Sequence, residues 1–367
     1  MLNAENQEAV KRLQMTIEWV KRPIVFFIGA GACHEDPKDA FPPSSLEISR
    51  YLLKELGIIK NGTDIIPPLP KCANDFAMVR GVVDLDATVS RFIRNRSQQI
   101  PRIHSLIMKI LKLQFEIFSQ NKRGKDSADN LLLVVTTNYD LLFERAFLQA
   151  CLQSDLIGFT RIIQNLYDKD LLVYNYDLNK LSHKEISELK ENLEKVDKLD
   201  DFISSKERME KIPCQKVLNL TEMGKIILYK LHGSLDEPLT SIISENQYLE
   251  YIWKMLKEKN FLPKCLFEYF TRNPILFIGY SFQDWDMRIA YDYLIRQSDD
   301  LRNEIPRYAI LFDPLTNQCD EINKKIYTKI NWNDQSKIWS ERGIGLLQCD
   351  GKDFLSELFR SFKMTVN

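Results

Sequence analysis

The stretch Pro23–Cys33, PIVFFIGAGAC, decides the fold of this chain. Its apolar residues run directly into Gly-Ala-Gly, a pattern typical of a buried strand that ends in a tight turn. A helical pattern follows from Ser45. Strand, glycine turn and helix form the phosphate-binding unit of many α/β proteins. His34 stands where G-x-G-x-x-G would have its third glycine, so the stretch alone also fits an ordinary strand-to-helix turn.

Three later segments repeat the arrangement of an apolar strand followed by polar residues. They read VVTTNYD at Val134–Asp140, ILYKLHGSLD at Ile227–Asp236 and PILFIGYSFQDWD at Pro274–Asp286. Ligands of open parallel sheets bind beyond the carboxyl ends of the strands, so we expect these ends to surround one site. Strands and helices alternate regularly after residue 225, which predicts an α/β fold: a Rossmann-like, doubly wound, mostly parallel sheet with helical insertions.

We expect one domain over residues 1–367. Its predicted core covers about 23–57, 131–151 and 225–362, and its predicted helical insertions cover about 73–119 and 155–222. Within the second insertion, Ser182–Glu210 is dense in Lys, Glu and Asp and is predicted to be a solvated helical segment. Its acidic residues balance its basic ones, which disfavours a nucleic-acid role.

The composition is that of an ordinary globular protein, with 44% hydrophobic and 28% charged residues. A formal net charge of −1 provides no overall field that would attract nucleic acid or an anionic membrane. The 7 cysteines include no C-x-x-C pair, which argues against a zinc ribbon. No apolar run approaches the roughly 20 residues of a membrane helix. We therefore expect a cytoplasmic protein with no metal, no membrane contact and no direct nucleic-acid contact.

His232 and Asn138 are the candidate catalytic residues. His232 follows an apolar strand and precedes a glycine, and the ordinary histidine pKa of about 6.5 suits a general base near neutral pH. The alternative is a capping or packing histidine. Asn138 ends another strand, and its amide can both donate and accept hydrogen bonds. It could orient a sugar hydroxyl or a water molecule.

Asp140 and Ser281 each have a structural alternative. Asp140 could cap the following helix or hold the hydrogen bonds of the site. Ser281 could donate to a phosphate or ribose oxygen, or cap the helix predicted near Asp284. The sequence shows no serine-hydrolase elbow and no Walker lysine, so both of those enzyme classes are disfavoured.

Taken in order, these motifs resemble the Sir2-like (sirtuin) superfamily. The matching residues are Gly29-Ala30-Gly31, Asn138 and Asp140 in T-x-N-x-D, His232-Gly233, and Gly279-x-Ser281. The forms TTNYD, KLHGS and FIGYSFQDWD resemble the Sir2-like branch found in bacterial antiphage defence proteins. The resemblance covers about residues 23–350, apart from the helical segments between the motifs.

The resemblance implies that NAD is bound by the sheet and split at the nicotinamide–ribose bond. By position, the Gly29–Gly31 turn would lie against the pyrophosphate, Asn138 would position the ribose or the attacking water, and His232 would be the general base. Gly279 and Ser281 would line the adenosine side. The other NAD-binding positions that it implies are Ala32, Cys33, Thr137, Asp140 and Asp313, the last as a ribose contact.

Two departures from the sirtuin pattern bear on the activity. The four-cysteine zinc module of deacetylase sirtuins is missing, which puts the acetyl-lysine channel and deacetylation in doubt. Cys33 stands where a serine is usual. Because a thiol is a weak donor, backbone N–H groups would have to make the phosphate contact. A cysteine at a helix start is also a candidate for oxidation.

The implied activity is that of an NAD glycohydrolase that depletes NAD in antiphage defence by abortive infection. Because nicotinamide is a good leaving group, such a site needs orientation, a base and a water. Unchecked NAD hydrolysis would harm the host, so we expect a homo-oligomer and a separate regulatory partner, a HerA-like ATPase or helicase or an Argonaute-like protein. The alternatives are a protein deacylase or ADP-ribosyltransferase and a non-catalytic sensor of NAD or ADP-ribose.

Overall fold

The fold is built on a 9-stranded sheet with the order β5-β4-β3-β6-β2-β1-β7-β8-β9. The strands are β1 Val25–Ile28, β2 Leu132–Thr136, β3 Gly158–Ile163, β4 Asp170–Asp177, β5 Glu210–Pro213, β6 Ile226–Lys230, β7 Ile275–Ile278, β8 Arg307–Leu311 and β9 Gly345–Gln348. The computed structural model describes residues 2–20, 22–33, 41–59, 66–120, 131–153, 156, 158–168, 170–192, 196–205, 210–258, 261–280, 291, 305–311 and 332–366.

The helices of the described ranges cover both faces of the sheet. They are α1 Ala4–Met15, α2 Ser45–Glu55, α3 Leu69–Arg80, α4 Val82–Arg96, α5 Arg102–Gln120, α6 Leu142–Gln153, α7 His183–Glu191, α8 Val196–Ser205, α9 Glu245–Lys257, α10 Lys264–Arg272, α11 Trp332–Glu341 and α12 Gly351–Val366. Within these ranges, each helix is too short or too polar to cross a membrane.

The central strands are apolar, except for Thr136 and Lys230 at the ends of β2 and β6, because both of their faces are buried. Every residue of β1, β2, β6 and β7 is buried. In β1, Phe26 and Ile28 belong to one hydrophobic core, whereas Val25 and Phe27 belong to the other. Parallel strands that are covered by helices on both faces have this composition. The predicted α/β, Rossmann-like, mostly parallel sheet is therefore confirmed.

The strand order places a topological switch point at β1. This strand pairs in parallel with β2 on one side and with β7 on the other. From β2 the sheet continues to β6 and β3, and from β7 it continues through β8 to β9. A crevice opens beyond the carboxyl ends of the strands at such a point, and ligands of open α/β sheets bind there. The glycine turn at the end of β1 lies at this edge.

The segment 155–222, predicted to be a helical insertion, also contributes β3, β4 and β5 to the sheet. β3 runs parallel to β6, while β4 runs antiparallel to β3 and to β5. The helical part of the prediction holds for α7 and α8. The strand β3 was missed because polar residues such as Arg161 interrupt its apolar pattern, and tertiary partners satisfy them.

The charged segment Ser182–Glu210 is less solvated than its composition predicts. Leu199 and Ile203 of α8 are buried. Asp200 of α8 accepts a 2.7 Å hydrogen bond from Nε of Arg145, a buried residue of α6. An arginine–carboxylate pair with two parallel hydrogen bonds fixes geometry well, so α8 is held against the core. Asp284, near which a helix is predicted, lies outside the described residues.

Candidate functional site

The glycine turns that follow β1 and β7 pack against each other through their backbones. Gly29 N donates to the carbonyl of Ile278 and Gly31 N donates to the carbonyl of Gly279, both at 2.9 Å. A Cβ atom on Gly31 would lie 2.9 Å from the Gly279 oxygen. A Cβ atom on Gly279, which has φ +78°, would lie 2.2 Å from the nitrogen of Ala32. The glycines are therefore required by the contact between the turns, before any ligand is considered.

This contact uses several N–H groups of the first turn. The N–H groups of Gly29 and Gly31 donate across to β7 and its turn, and Ala32 N donates to the Gly29 carbonyl at 3.1 Å. Ala30 is the exposed residue of the turn, whereas Ala32 and Cys33 are buried. A phosphate would therefore approach this turn from the Ala30 side. The NAD contacts assigned to Gly29–Cys33 stay predictions.

Asn138 lies at the carboxyl end of β2 with its amide directed at the glycine turn. Its Nδ2 donates to the Gly29 carbonyl at 3.4 Å and to Cys33 Sγ at 3.5 Å, and its backbone N–H donates to Thr136 Oγ1. Its Oδ1 is buried and has no hydrogen-bond partner in the part of the chain that the structure describes. An unsatisfied buried acceptor is unfavourable, so this oxygen is suited to bind a ligand hydroxyl or a water.

A hydrogen-bond cluster holds the ends of β1, β2 and β7 together beside Asn138. The hydroxyl of Tyr280 donates to the carbonyl of Ile28 and lies 2.9 Å from Thr137 Oγ1. Thr136 Oγ1 donates to the same carbonyl at 3.0 Å. Tyr280 was not among the predicted site residues. The available signal was its position between Gly279 and Ser281, in the polar segment that follows a strand.

The two candidate catalytic residues follow adjacent strands. Leu231 N donates to the carbonyl of Thr136 at 2.9 Å, which aligns the carboxyl ends of β6 and β2. Asn138 comes two residues after Thr136, and His232 comes one residue after Leu231. Both are 6% exposed. The structure therefore brings the ends of these strands together at the edge where the sequence predicted a site.

The imidazole of His232 packs against two aromatic residues of α9. The rings of Tyr248 and Tyr251 each lie 5.4 Å from it, centroid to centroid, with interplanar angles of 85° and 80°. Burial lowers the pKa of His232 to about 3. The ring is therefore neutral near neutral pH, and an imidazole with so low a pKa is a weak base. Its orientation comes from these edge-on aromatic contacts.

Asp140 performs the capping role that the sequence left open. Its Oδ1 accepts a 3.0 Å hydrogen bond from Leu142 N, the first residue of α6. Its pKa is raised by burial, although the charge of Lys230 acts in the opposite direction. The role of Asp140 in NAD binding stays a prediction.

A buried lysine that was not among the predicted site residues joins the loops that follow β2 and β6. Lys230 is the last residue of β6, and its Nζ donates to Glu144 Oε1 at 2.9 Å and to the carbonyls of Tyr139 and Asp140. Lys230 and Glu144 are fully buried. The signal in the sequence was a lysine at the end of an otherwise apolar strand, ILYK. Two residues before His232, this lysine thus binds the loop that carries Asn138.

Arg161 of β3 extends this network to Asp236, in the loop that follows His232. Its Nη1 lies 3.3 Å from Glu144 Oε1 and 2.8 Å from Asp236 Oδ2. Although burial favours the neutral acid, the charges of Arg161 and Lys230 keep the pKa of Asp236 below its usual value. The four charged groups are fully or almost fully buried and pair with one another, so they act as one internal support for both loops.

Two predicted NAD-binding residues, Ser281 and Asp313, lie outside the described residues. Thr137 and Gly279 are described and lie at the glycine turn contact. Among the described ranges, no group of three or more His, Cys, Asp or Glu residues could hold a metal ion.

Glycine turns and polar groups at strand ends beside a topological switch point are the features with which open α/β sheets bind nucleotides. The chain matches the family described as SIR2-like domain over residues 132–330, which is more than half of its length. It therefore belongs to the SIR2-like family. No curated protein matches it at a significant level. SIR2-like domains are in general NAD-dependent enzymes, and the unsatisfied Oδ1 of Asn138 fits a ligand rich in hydroxyl groups.

Proposed function

We propose that this chain is an NAD glycohydrolase that cleaves the nicotinamide–ribose bond and releases nicotinamide and ADP-ribose. The observation that supports this most is the pair of Asn138 and His232 at adjacent strand ends in a family that uses NAD. Asn138 offers a buried acceptor without a protein partner, and His232 offers a neutral imidazole.

The proposed reaction needs orientation more than acid catalysis. The bond between ribose C1′ and the nicotinamide nitrogen breaks, and its electron pair leaves with the nicotinamide. A water oxygen bonds to C1′, and the proton of that water passes to His232. An imidazole with a pKa of about 3 is a weak base, which is adequate because the sugar already carries positive charge when water attacks. Asn138 Oδ1 would accept a hydrogen bond from a ribose hydroxyl or from this water.

Water is the proposed acceptor because the sequence has no four-cysteine zinc module to complete a peptide channel. The biological role that we propose is NAD depletion in antiphage defence in the cytoplasm. It is supported by the motifs TTNYD, KLHGS and FIGYSFQDWD. We also propose that the chain forms a homo-oligomer and that a separate partner, a HerA-like ATPase or helicase or an Argonaute-like protein, restrains the activity until infection.

The direct test is to incubate the purified chain with NAD and to follow nicotinamide and ADP-ribose by chromatography. The wild type and His183→Ala should yield both products, whereas His232→Ala should yield neither. His183 is an exposed residue of α7 and serves as the matched control. Equal product from His232→Ala would remove this residue from the mechanism. In a parallel sample that also contains an acylated peptide, modified peptide in place of free ADP-ribose would identify a transferase or deacylase. Thermal stabilisation by NAD without product would identify a sensor.

A further inference from the structure

The helix α9 has two contrasting faces. Its inner face packs on His232 through Tyr248 and Tyr251. Its outer face exposes Leu249, Trp253 and Leu256, which are 56%, 58% and 57% accessible. These positions are spaced by four and three residues, so they form one continuous stripe along the helix. Contiguous apolar surface of this kind marks an interaction site more often than isolated exposed residues do.

The charges of α9 indicate what covers this stripe. Glu245 lies in the first turn of the helix and Lys257 in its last turn, whereas Lys254 pairs with Glu250 of the same helix. When two copies of such a helix pack antiparallel, the acidic end of each lies beside the basic end of the other. A parallel arrangement would place like charges together. The helix is therefore complementary to itself in the antiparallel direction, which is the relation that a two-fold axis produces.

We propose that two copies of this chain associate through α9, packed antiparallel about a two-fold axis near Trp253. Leu249 of one copy then packs against Leu256 of the other, and the two Trp253 side chains meet at the axis. At about 1.5 Å per residue, Glu245 and the second copy's Lys257 come within about one helical turn of each other.

The proposed interface is coupled to the candidate site because α9 lies between the interface and His232. Association would fix the helix that carries Tyr248 and Tyr251, and through these rings the position of the imidazole. This coupling to turnover rests on the proposed NAD hydrolysis, whereas the association itself does not. His232 would thus be held more firmly in the dimer than in the isolated chain.

The test is sedimentation velocity of the full chain over a range of concentrations. Trp253→Asp and Leu249→Asp should each weaken association by about tenfold or more, because an apolar side chain that the proposed interface buries becomes a charge. Leu218→Asp is the matched control, since Leu218 is 80% exposed and lies outside α9. A wild type that stays monomeric at all concentrations would overturn the proposal. So would association that Trp253→Asp leaves unchanged.

A charge exchange tests the direction of packing. Lys257→Glu should weaken association a few-fold, and the double variant Lys257→Glu with Glu245→Lys should restore it. Restoration supports the antiparallel arrangement, whereas unchanged or stronger association of the single variant contradicts it. NAD turnover is measured on the same samples. If the wild type associates but releases no nicotinamide, the proposed NAD hydrolysis is contradicted, whereas the proposed α9 interface is not.

Discussion

The ammonium group of Lys230 lies 2.9 Å from a carboxylate oxygen of Glu144, and both side chains are buried. The lysine ends β6 two residues before His232, and its contacts with backbone carbonyls reach the loop that carries Asn138. One internal ion pair thus connects the two loops of the candidate site. Its role can be tested separately from catalysis.

Removal of the lysine charge should destabilise the fold. Lys230→Met would leave the Glu144 carboxylate buried without this partner, which typically lowers the free energy of unfolding by about 3–5 kcal/mol. The double variant with Glu144→Gln should recover part of that loss. Urea unfolding measures the free energy of unfolding of the single and the double variant. Lys264→Met, in an exposed ion pair with Glu268, is the control and should change stability by about 0.5 kcal/mol or less. Equal losses of unfolding free energy in Lys230→Met and Lys264→Met would mean that the buried ion pair does not stabilise the fold.

The contact between the two glycine turns should not tolerate a side chain. Gly279→Ala would place a Cβ atom 2.2 Å from the nitrogen of Ala32 and would add backbone strain at φ +78°. Gly81→Ala has comparable strain at φ +92° but meets no atom within 4 Å. Strain of this kind amounts to about 1–3 kcal/mol. Urea unfolding should therefore show a clearly greater loss for Gly279→Ala, and similar losses would contradict the observed contact.

The buried histidine His104 should make the fold sensitive to acid. Both of its ring nitrogens lack hydrogen-bond partners within the described ranges, and burial lowers its pKa to about 3. Its pKa in the unfolded chain is about 6.5, so between these values the unfolded state binds a proton that the native state does not. Stability should therefore fall with decreasing pH, by about 1.4 kcal/mol per pH unit for each such histidine.

The variant His104→Leu isolates this contribution. Unfolding free energies measured near neutral pH and near about pH 5 should differ less in His104→Leu than in the wild type, because one titrating group is removed. His232 has a similarly low pKa and should maintain part of the slope. His183→Leu, at an exposed position, should behave like the wild type. An unchanged slope in His104→Leu would show that this residue does not remain neutral in the native state.

The contact between Asn138 and Cys33 should contribute to NAD affinity. Cys33→Ser keeps an acceptor for the Asn138 amide, whereas Cys33→Val removes it and allows the amide to reorient. Since one hydrogen bond contributes about 1 kcal/mol, we expect Cys33→Val to bind NAD about fivefold more weakly than Cys33→Ser. Calorimetric titration measures the two affinities. Indistinguishable values would show that the thiol does not position Asn138.

The sheet could be predicted from the sequence because its central strands are buried on both faces. The apolar runs of β1, β2, β6 and β7 mark them without tertiary information. β3 could not be predicted in the same way. Arg161 interrupts its apolar pattern, and its partners Glu144 and Asp236 lie 17 and 75 residues away in the chain.

The sequence also indicated which residues would meet at the sheet edge, but not what they would contact. The glycines at 29, 31 and 279 were predicted to face a ligand, and the structure shows that their backbones first contact each other. Likewise, the composition of Ser182–Glu210 indicated solvent exposure, whereas Asp200 pairs with the buried Arg145. Such pairings depend on tertiary approach, which local patterns do not encode.

The central claim is that NAD binds beside Asn138 and is split there. The most direct measurement titrates NAD into the wild type and Asn138→Ala by calorimetry and then assays nicotinamide in the same samples. We predict binding with nicotinamide release by the wild type, and weakened binding without release by a folded Asn138→Ala. NAD that fails to bind the wild type, or that binds and is cleaved equally by both proteins, would contradict the account.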